Sequence, residues 1–179
     1  MMKRENRFTL MSKAREGFTL IELLVVIAVL GVLAVVVITA INPFQQLAKA
    51  RDAGRLSVTS QLGQAAVSMA TSNGGTYPTA NATWITQLMT GGEISIIPAS
   101  IGYSIAGISA CGTNTQNNMC YKGAVAGPVV VYATMEATAN VSRCAAGQSA
   151  WAVYSSADGR GGVVCSAGEP APGNQTFLP

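Results

Sequence analysis

The hydrophobic and polar positions of this chain fall into stretches of different period. Residues 1–17, MMKRENRFTLMSKAREG, are polar and basic, whereas the run FTLIELLVVIAVLGVLAVVVITAI from Phe18 to Ile41 is interrupted only by Thr19, Glu22 and Thr39. About 20 helical residues at roughly 1.5 Å each cross the ~30 Å hydrocarbon core of a bilayer, so this run predicts a membrane-spanning helix. From Phe44 to about Ser72 the pattern turns amphipathic. Leu47, Gly54, Val58, Leu62, Ala65 and Met69 recur at helical spacings and lay one narrow stripe along a helix. Lys49, Arg51, Asp52, Arg55 and Gln61 fall off the stripe and are expected on a solvated face, with only Lys49, Arg51 and Arg55 to offer an anionic headgroup or phosphate.

Between the two helical stretches stands Asn42-Pro43. Proline removes an N–H and clashes with the carbonyl of Thr39, while Asn42 is a good N-cap and Gln45 is placed to complete a capping box. Either a kink or a short break is expected there. Asn73-Gly74-Gly75 ends the second helix, and Thr83 to Met89 reads as one short helix with Trp84, Ile85 and Leu88 as its apolar face. Beyond Gly92 the signals are those of strands, at 94–97, 102–105, 129–135, 151–154 and 162–165, with Asp158-Gly159 as a hairpin turn. Roughly three to five antiparallel strands packed across the amphipathic stripe give an α+β fold: a long N-terminal helix, apolar in its first half, set by its second half against a small sheet.

Composition changes this picture little. The chain is 179 residues long, 49% hydrophobic and 11% charged, enough for one modest domain beside the apolar segment and too poor in cations for a basic nucleic-acid surface. The formal charge of +3 is carried entirely by residues 1–17, and the rest has as many acids as bases. Positive charge ahead of an apolar helix keeps that end in the cytoplasm and sends the chain beyond Ile41 across the membrane. Met11 would serve as an alternative start, leaving the short leader MSKAREG. Ala40 offers a weak secretory-type cleavage position after the apolar core.

One side chain is out of place in the apolar run. An ionisable group there is costly, which makes Glu22 a functional candidate. The string Gly17-Phe18-Thr19-Leu20-Ile21-Glu22 followed by unbroken apolar sequence resembles the processing site of type IV pilins and of the pseudopilins of type II secretion and DNA-uptake machines. The resemblance implies cleavage between Gly17 and Phe18 by a prepilin peptidase, N-methylation of Phe18, and use of Glu22, the fifth mature residue, in assembly. A freed α-amine on Phe18 would be largely protonated near neutral pH, and Glu22 one helical turn away could neutralise it or a neighbour's, which rewards correct register. Residues 50–78 resemble the exposed half of the pilin helix more loosely. Thr39 stands where many members of the family carry proline. Gly31, with Ala28 and Ala34, leaves a groove of small side chains that suits close helix packing.

The four cysteines, Cys111, Cys120, Cys144 and Cys165, lie in the exported part, which argues for disulfides. Three connectivities are possible, and the pairing favoured here is Cys111–Cys120 with Cys144–Cys165. A zinc site would need CxxC pairs or histidines, and the chain has neither. The absence of histidine also removes Ser-His, Cys-His and HExxH arrangements, and the serines lack the second glycine of GxSxG, so neither an enzyme nor a cofactor is expected. Asp158 lies in a Gly-rich turn of the kind that holds calcium in some major pseudopilins, but one carboxylate is a poor start for a six-oxygen site. Asn81, Asn140 and Asn174 begin N-x-S/T sequons.

The expected organisation is a cleaved leader over 1–17, a transmembrane and assembly helix over 18–42, and an exported domain over 43–179. The expected partners are further copies in a helical filament, the prepilin peptidase and methyltransferase, a pilus or secretion assembly platform, and the membrane, with no sequence-specific nucleic acid. A single-pass cytoplasmic membrane precursor would then pass into a surface pilus or a periplasmic pseudopilus. The disulfides and sizeable outer domain favour the pilus. The remaining alternative is a bitopic membrane protein whose outer domain binds a partner without polymerising.

Overall fold

A computed structural model describes residues 17–179, and the chain divides after Ile41 into two compact units. The leader and its alternative start at Met11 lie outside the described residues. The first unit holds helix α1, Leu20–Ile41, 22 residues of mean hydropathy 3.3, long and apolar enough to cross a membrane. No residue of this helix is buried. Thr39 hides its hydroxyl by donating back to the carbonyls of Val35 and Val36, at 3.2 and 2.9 Å, so it interrupts the composition without interrupting the helix.

The second unit opens with Asn42, whose backbone is left-handed at φ 46° and whose side chain accepts from the Gln45 amide. With Pro43 at the first position it starts helix α2, Pro43–Ser72. Of the two outcomes expected here, the break is the one found. Gln45 does not return to Asn42; its Oε1 accepts instead from the Thr138 amide at 3.0 Å. After α2 come α3 (Trp84–Thr90), strands β1 (Thr115–Gln116), β2 (Met119–Gly123) and β3 (Val129–Thr134), the short α4 (Thr138–Val141), and strands β4 (Ser149–Ser155) and β5 (Arg160–Ser166). The five strands pair antiparallel in sequence order, and α2 crosses β3, β4 and β5.

The architecture is α+β. Alternation along β3 explains its two cores: Val129, Val131 and Ala133 meet Leu62, Ala66, Trp84, Ile85 and Leu88 beneath α2 and α3, while Val130 and Tyr132 meet Trp151, Val153, Val164 and the Cys111–Cys120 bridge on the other face. Both faces of β3 are therefore covered, which is why its sequence is a continuous apolar run rather than an alternating one. Trp84, Ile85 and Leu88 are buried as the short helix required.

Two expected strands do not form. Residues 94–97 and 102–105 run as irregular chain, held by side chains in place of a ladder. Arg55 donates to the Gly102 carbonyl, and the Glu136 carboxylate accepts from the Ser104 and Ile105 amides. Conversely, β1 and β2 carry too little β-branched sequence, TQ and MCYKG, to announce themselves.

Candidate functional site

The N-terminal candidates sit where the apolar helix begins. Phe18 is 83% exposed and precedes the first helical turn, and a side chain at Gly17 would meet open space. Glu22 lies in that first turn and is engaged with Thr19. One oxygen, Oε2, accepts both the Thr19 amide at 2.9 Å and the Thr19 hydroxyl at 2.8 Å, while the Glu22 amide donates to the Thr19 hydroxyl at 3.2 Å. This is a reciprocal capping box, and its Thr-x-x-Glu spelling was present in the sequence at residues 19–22. In the uncut chain the Phe18 nitrogen is an amide, and the carboxylate turns to Thr19. Glu22 Oε1 has no hydrogen-bond partner among the described residues and stays open to a donor from outside. Ile21, Val25 and Val26 line a shallow, open apolar hollow beside Phe18 and Glu22.

Along the rest of α1, Ala28, Gly31 and Ala34 are exposed, and nothing lies within 4 Å of where a Cβ on Gly31 would stand. Every large apolar side chain of the helix shares this exposure, from Leu20 to Ile41.

The charged positions of α2 differ from expectation. Asp52 and Arg55 are not on a solvated face but fully buried. The reason is a closed network with a residue that sequence spacing did not reveal, Glu136, two residues beyond the end of β3. Arg55 reaches Asp52 at 2.7 Å and Glu136 at 3.1 Å, Arg51 reaches Glu136 at 2.6 Å, and the Arg55 guanidinium lies 3.9 Å from the Tyr103 ring centroid. Asp52 also accepts from the Glu136 and Ala137 amides and from Asn140 Nδ2, which ties it to the connection between β3 and α4. Burial pushes the Glu136 carboxyl up, but the Ser104 amide, Arg51, the Ile105 amide and Arg55 together outweigh it and hold the group at about 2. The network fixes α2, the chain around Ser104 and the β3–α4 connection as one body. It leaves Arg51 and Arg55 little to offer a lipid phosphate.

Cys111 is bonded to Cys120, with Cα atoms 6.2 Å apart, and Cys144 to Cys165, at 5.4 Å. The first bridge encloses a hairpin that is stitched to its surroundings. Gln116 Oε1 accepts from the Ile85 amide at 2.7 Å and thereby caps α3. Glu169 accepts from the Thr113 hydroxyl and pairs with Lys122 at 2.6 Å. Burial raises the Glu169 carboxyl, and Lys122, the Gly112 amide, Thr113 and Tyr132 bring it down to about 2. In the Gly-rich turn Asp158 Oδ2 accepts from the Gln175 amide, which ties the C-terminal segment to the sheet. Of the sequon asparagines, Asn140 gives its amide to buried Asp52 and Asn81 accepts from Thr83.

Residues 12–38 match the prokaryotic N-terminal methylation motif, the signature of type IV pilins and pseudopilins. The match spans the Gly17-Phe18 junction, Glu22 and most of α1, and stops short of the second unit. No curated protein and no solved structure matches the chain.

Proposed function

We propose that this chain is the structural subunit of a type IV pilus-like filament, made as a membrane precursor and built into a helical array after processing. The observation that carries the reading is the pairing of the methylation motif with a 22-residue apolar helix none of whose residues is buried. A peptidase cuts between Gly17 and Phe18, the new amine of Phe18 is methylated, and residues 18–42 hold the subunit in the cytoplasmic membrane with residues 43–179 outside. Assembly moves the helix from lipid into a bundle of like helices. One apolar environment replaces another, so packing of small residues and the Phe18 amine on Glu22 must select the register. The free Oε1 of Glu22 leaves the carboxylate able to take that amine while Thr19 holds Oε2. The outer unit, stapled by two disulfides, faces outward. Its role is structural rather than catalytic.

Mass spectrometry of material sheared from the cell surface, set beside washed membranes, tests this. A chain beginning at N-methylated Phe18 in the sheared fraction is the expected result. The same processed chain confined to membranes assigns it to a pseudopilus instead, a reading that the shared motif supports equally well. A chain never cut at Gly17 sinks both and leaves an anchored binding domain.

A further inference from the structure

Nearly all the charged side chains of the second unit are satisfied inside the chain. Arg51, Asp52, Arg55 and Glu136 form the buried network, Lys122 pairs with Glu169, Arg160 stacks on Phe177, Asp158 holds Gln175, and Arg143 donates to the Pro179 carbonyl. Two are left over, with opposite signs. Lys49 is exposed and has no partner among the described residues, and Glu93 accepts only a long 3.4 Å bond from the Ser72 hydroxyl.

These two cannot meet within one chain. Glu93 lies at the far end of α2 beside Ser72, and Ser72 is 23 residues beyond Lys49, which at 1.5 Å per residue is roughly 35 Å along the helix. They also occupy different sides. Glu93 and Ile94 form a groove with Gln61, Ala65 and Ser68 of α2, and neighbouring Ile96 is 79% exposed. At about 100° per residue, Gln61, Ala65 and Ser68 turn one way from the buried stripe through Ala48, Arg55 and Leu62, and Lys49 turns the other.

A patch on one flank that complements a patch on the other, displaced along the axis, describes a heterologous contact, which repeats without closing. We infer that the groove of Glu93 and Ile94, with exposed Ile96 beside it, receives Lys49 from a second copy of this chain, lying parallel and shifted along α2. The inference rests on the filament reading, because copies entering one membrane by the same helix are parallel, which excludes the antiparallel two-fold alternative. Opposite charge gives the contact its register. Ala53, exposed one turn on from Lys49 on the same flank, is small enough to admit the Ile96 side chain.

The test uses the full chain in its own cells. Lys49→Glu and Glu93→Lys each place like charges together and should lower the yield of sheared filaments about tenfold or more, and the double reversal should restore it. Independently, a chain carrying both Lys49→Cys and Glu93→Cys should give a ladder of disulfide-linked copies on oxidation of intact filaments. If unsubstituted cells make no filaments, the assembly reading falls and this contact with it. If filaments form but single reversals leave the yield unchanged, or the oxidised ladder is missing, the contact alone is wrong.

Discussion

Thr19 and Glu22 satisfy each other at the start of the apolar helix, through two bonds into one carboxylate oxygen and one returned to the threonine hydroxyl. The carboxylate therefore has a structural use before any neighbour arrives, and capping must be separated from charge. Gln keeps an acceptor for Thr19 but cannot neutralise an amine; Ala keeps neither. Glu22→Gln should retain the protection of the first-turn amides against hydrogen exchange in detergent, while losing filaments as completely as Glu22→Ala does. Filaments from the Gln variant would show that the cap, and not the charge, is what assembly needs.

The buried Glu136 makes stability depend on acid in a defined window. Its folded value of about 2 lies below the ordinary 4.5, so its contribution is fully present above 4.5 and is lost as pH falls toward 2. Thermal unfolding of the detergent-solubilised chain should show that acid limb, and Glu136→Gln should make it shallower, leaving the share of Glu169, which is also held at about 2. The same substitution strands Arg55 without its second anion, at a cost of about 3–5 kcal/mol at neutral pH. An unchanged midpoint at neutral pH would mean that Arg51 and Arg55 find other partners.

Legibility from sequence followed the range of the interactions. The apolar helix, the short helix at Trp84 and strands β3, β4 and β5 are local patterns, and they stand where those patterns put them, while Asn42-Pro43 announced an interruption without deciding between a kink and a break. Glu136 was silent because its partners Arg51, Asp52 and Arg55 are more than 80 residues away, and a lone carboxylate after an apolar strand has no periodicity. Charge on α2 therefore read as solvent exposure, although a balanced set of ions can be buried when each is paired. The Ile-rich chain from Ile94 to Ile105 had strand composition and no strand to pair with. Composition states what a segment tolerates, and only a partner makes it a ladder. The Thr19 cap, by contrast, was spelled out locally and was obscured by the more unusual glutamate within it.

Two glycines should respond in opposite ways. A Cβ on Gly63 would run into the Tyr154 ring where α2 crosses β4, so Gly63→Ala overpacks the core and should cost about 1–3 kcal/mol. Gly31 faces open space, and Gly31→Ala should leave the isolated chain unharmed or firm its helix by up to ~1 kcal/mol. If Gly31→Ala nevertheless reduces filament yield while the detergent-solubilised precursor melts as before, the space at Gly31 belongs to a neighbouring helix. Equal yields from both chains would assign that glycine no packing role.

The Cys111–Cys120 bridge should matter beyond its own loop, because the hairpin it closes delivers Gln116 to the start of α3. Opening the bridge with Cys111→Ser and Cys120→Ser together removes a constraint worth about 2–4 kcal/mol and loosens the cap as well. Gln116→Ala removes the cap alone, for about 0.5–2 kcal/mol. Hydrogen exchange at the Ile85 and Thr86 amides reads both, since each donates to Gln116 Oε1. Faster exchange at these two positions in both variants, with the β3–β4 ladder still protected, is the expected outcome. Faster exchange throughout the sheet in the cysteine variant would instead make the bridge a staple of the whole unit, and unchanged exchange in Gln116→Ala would leave α3 held by Trp84 and Leu88 alone.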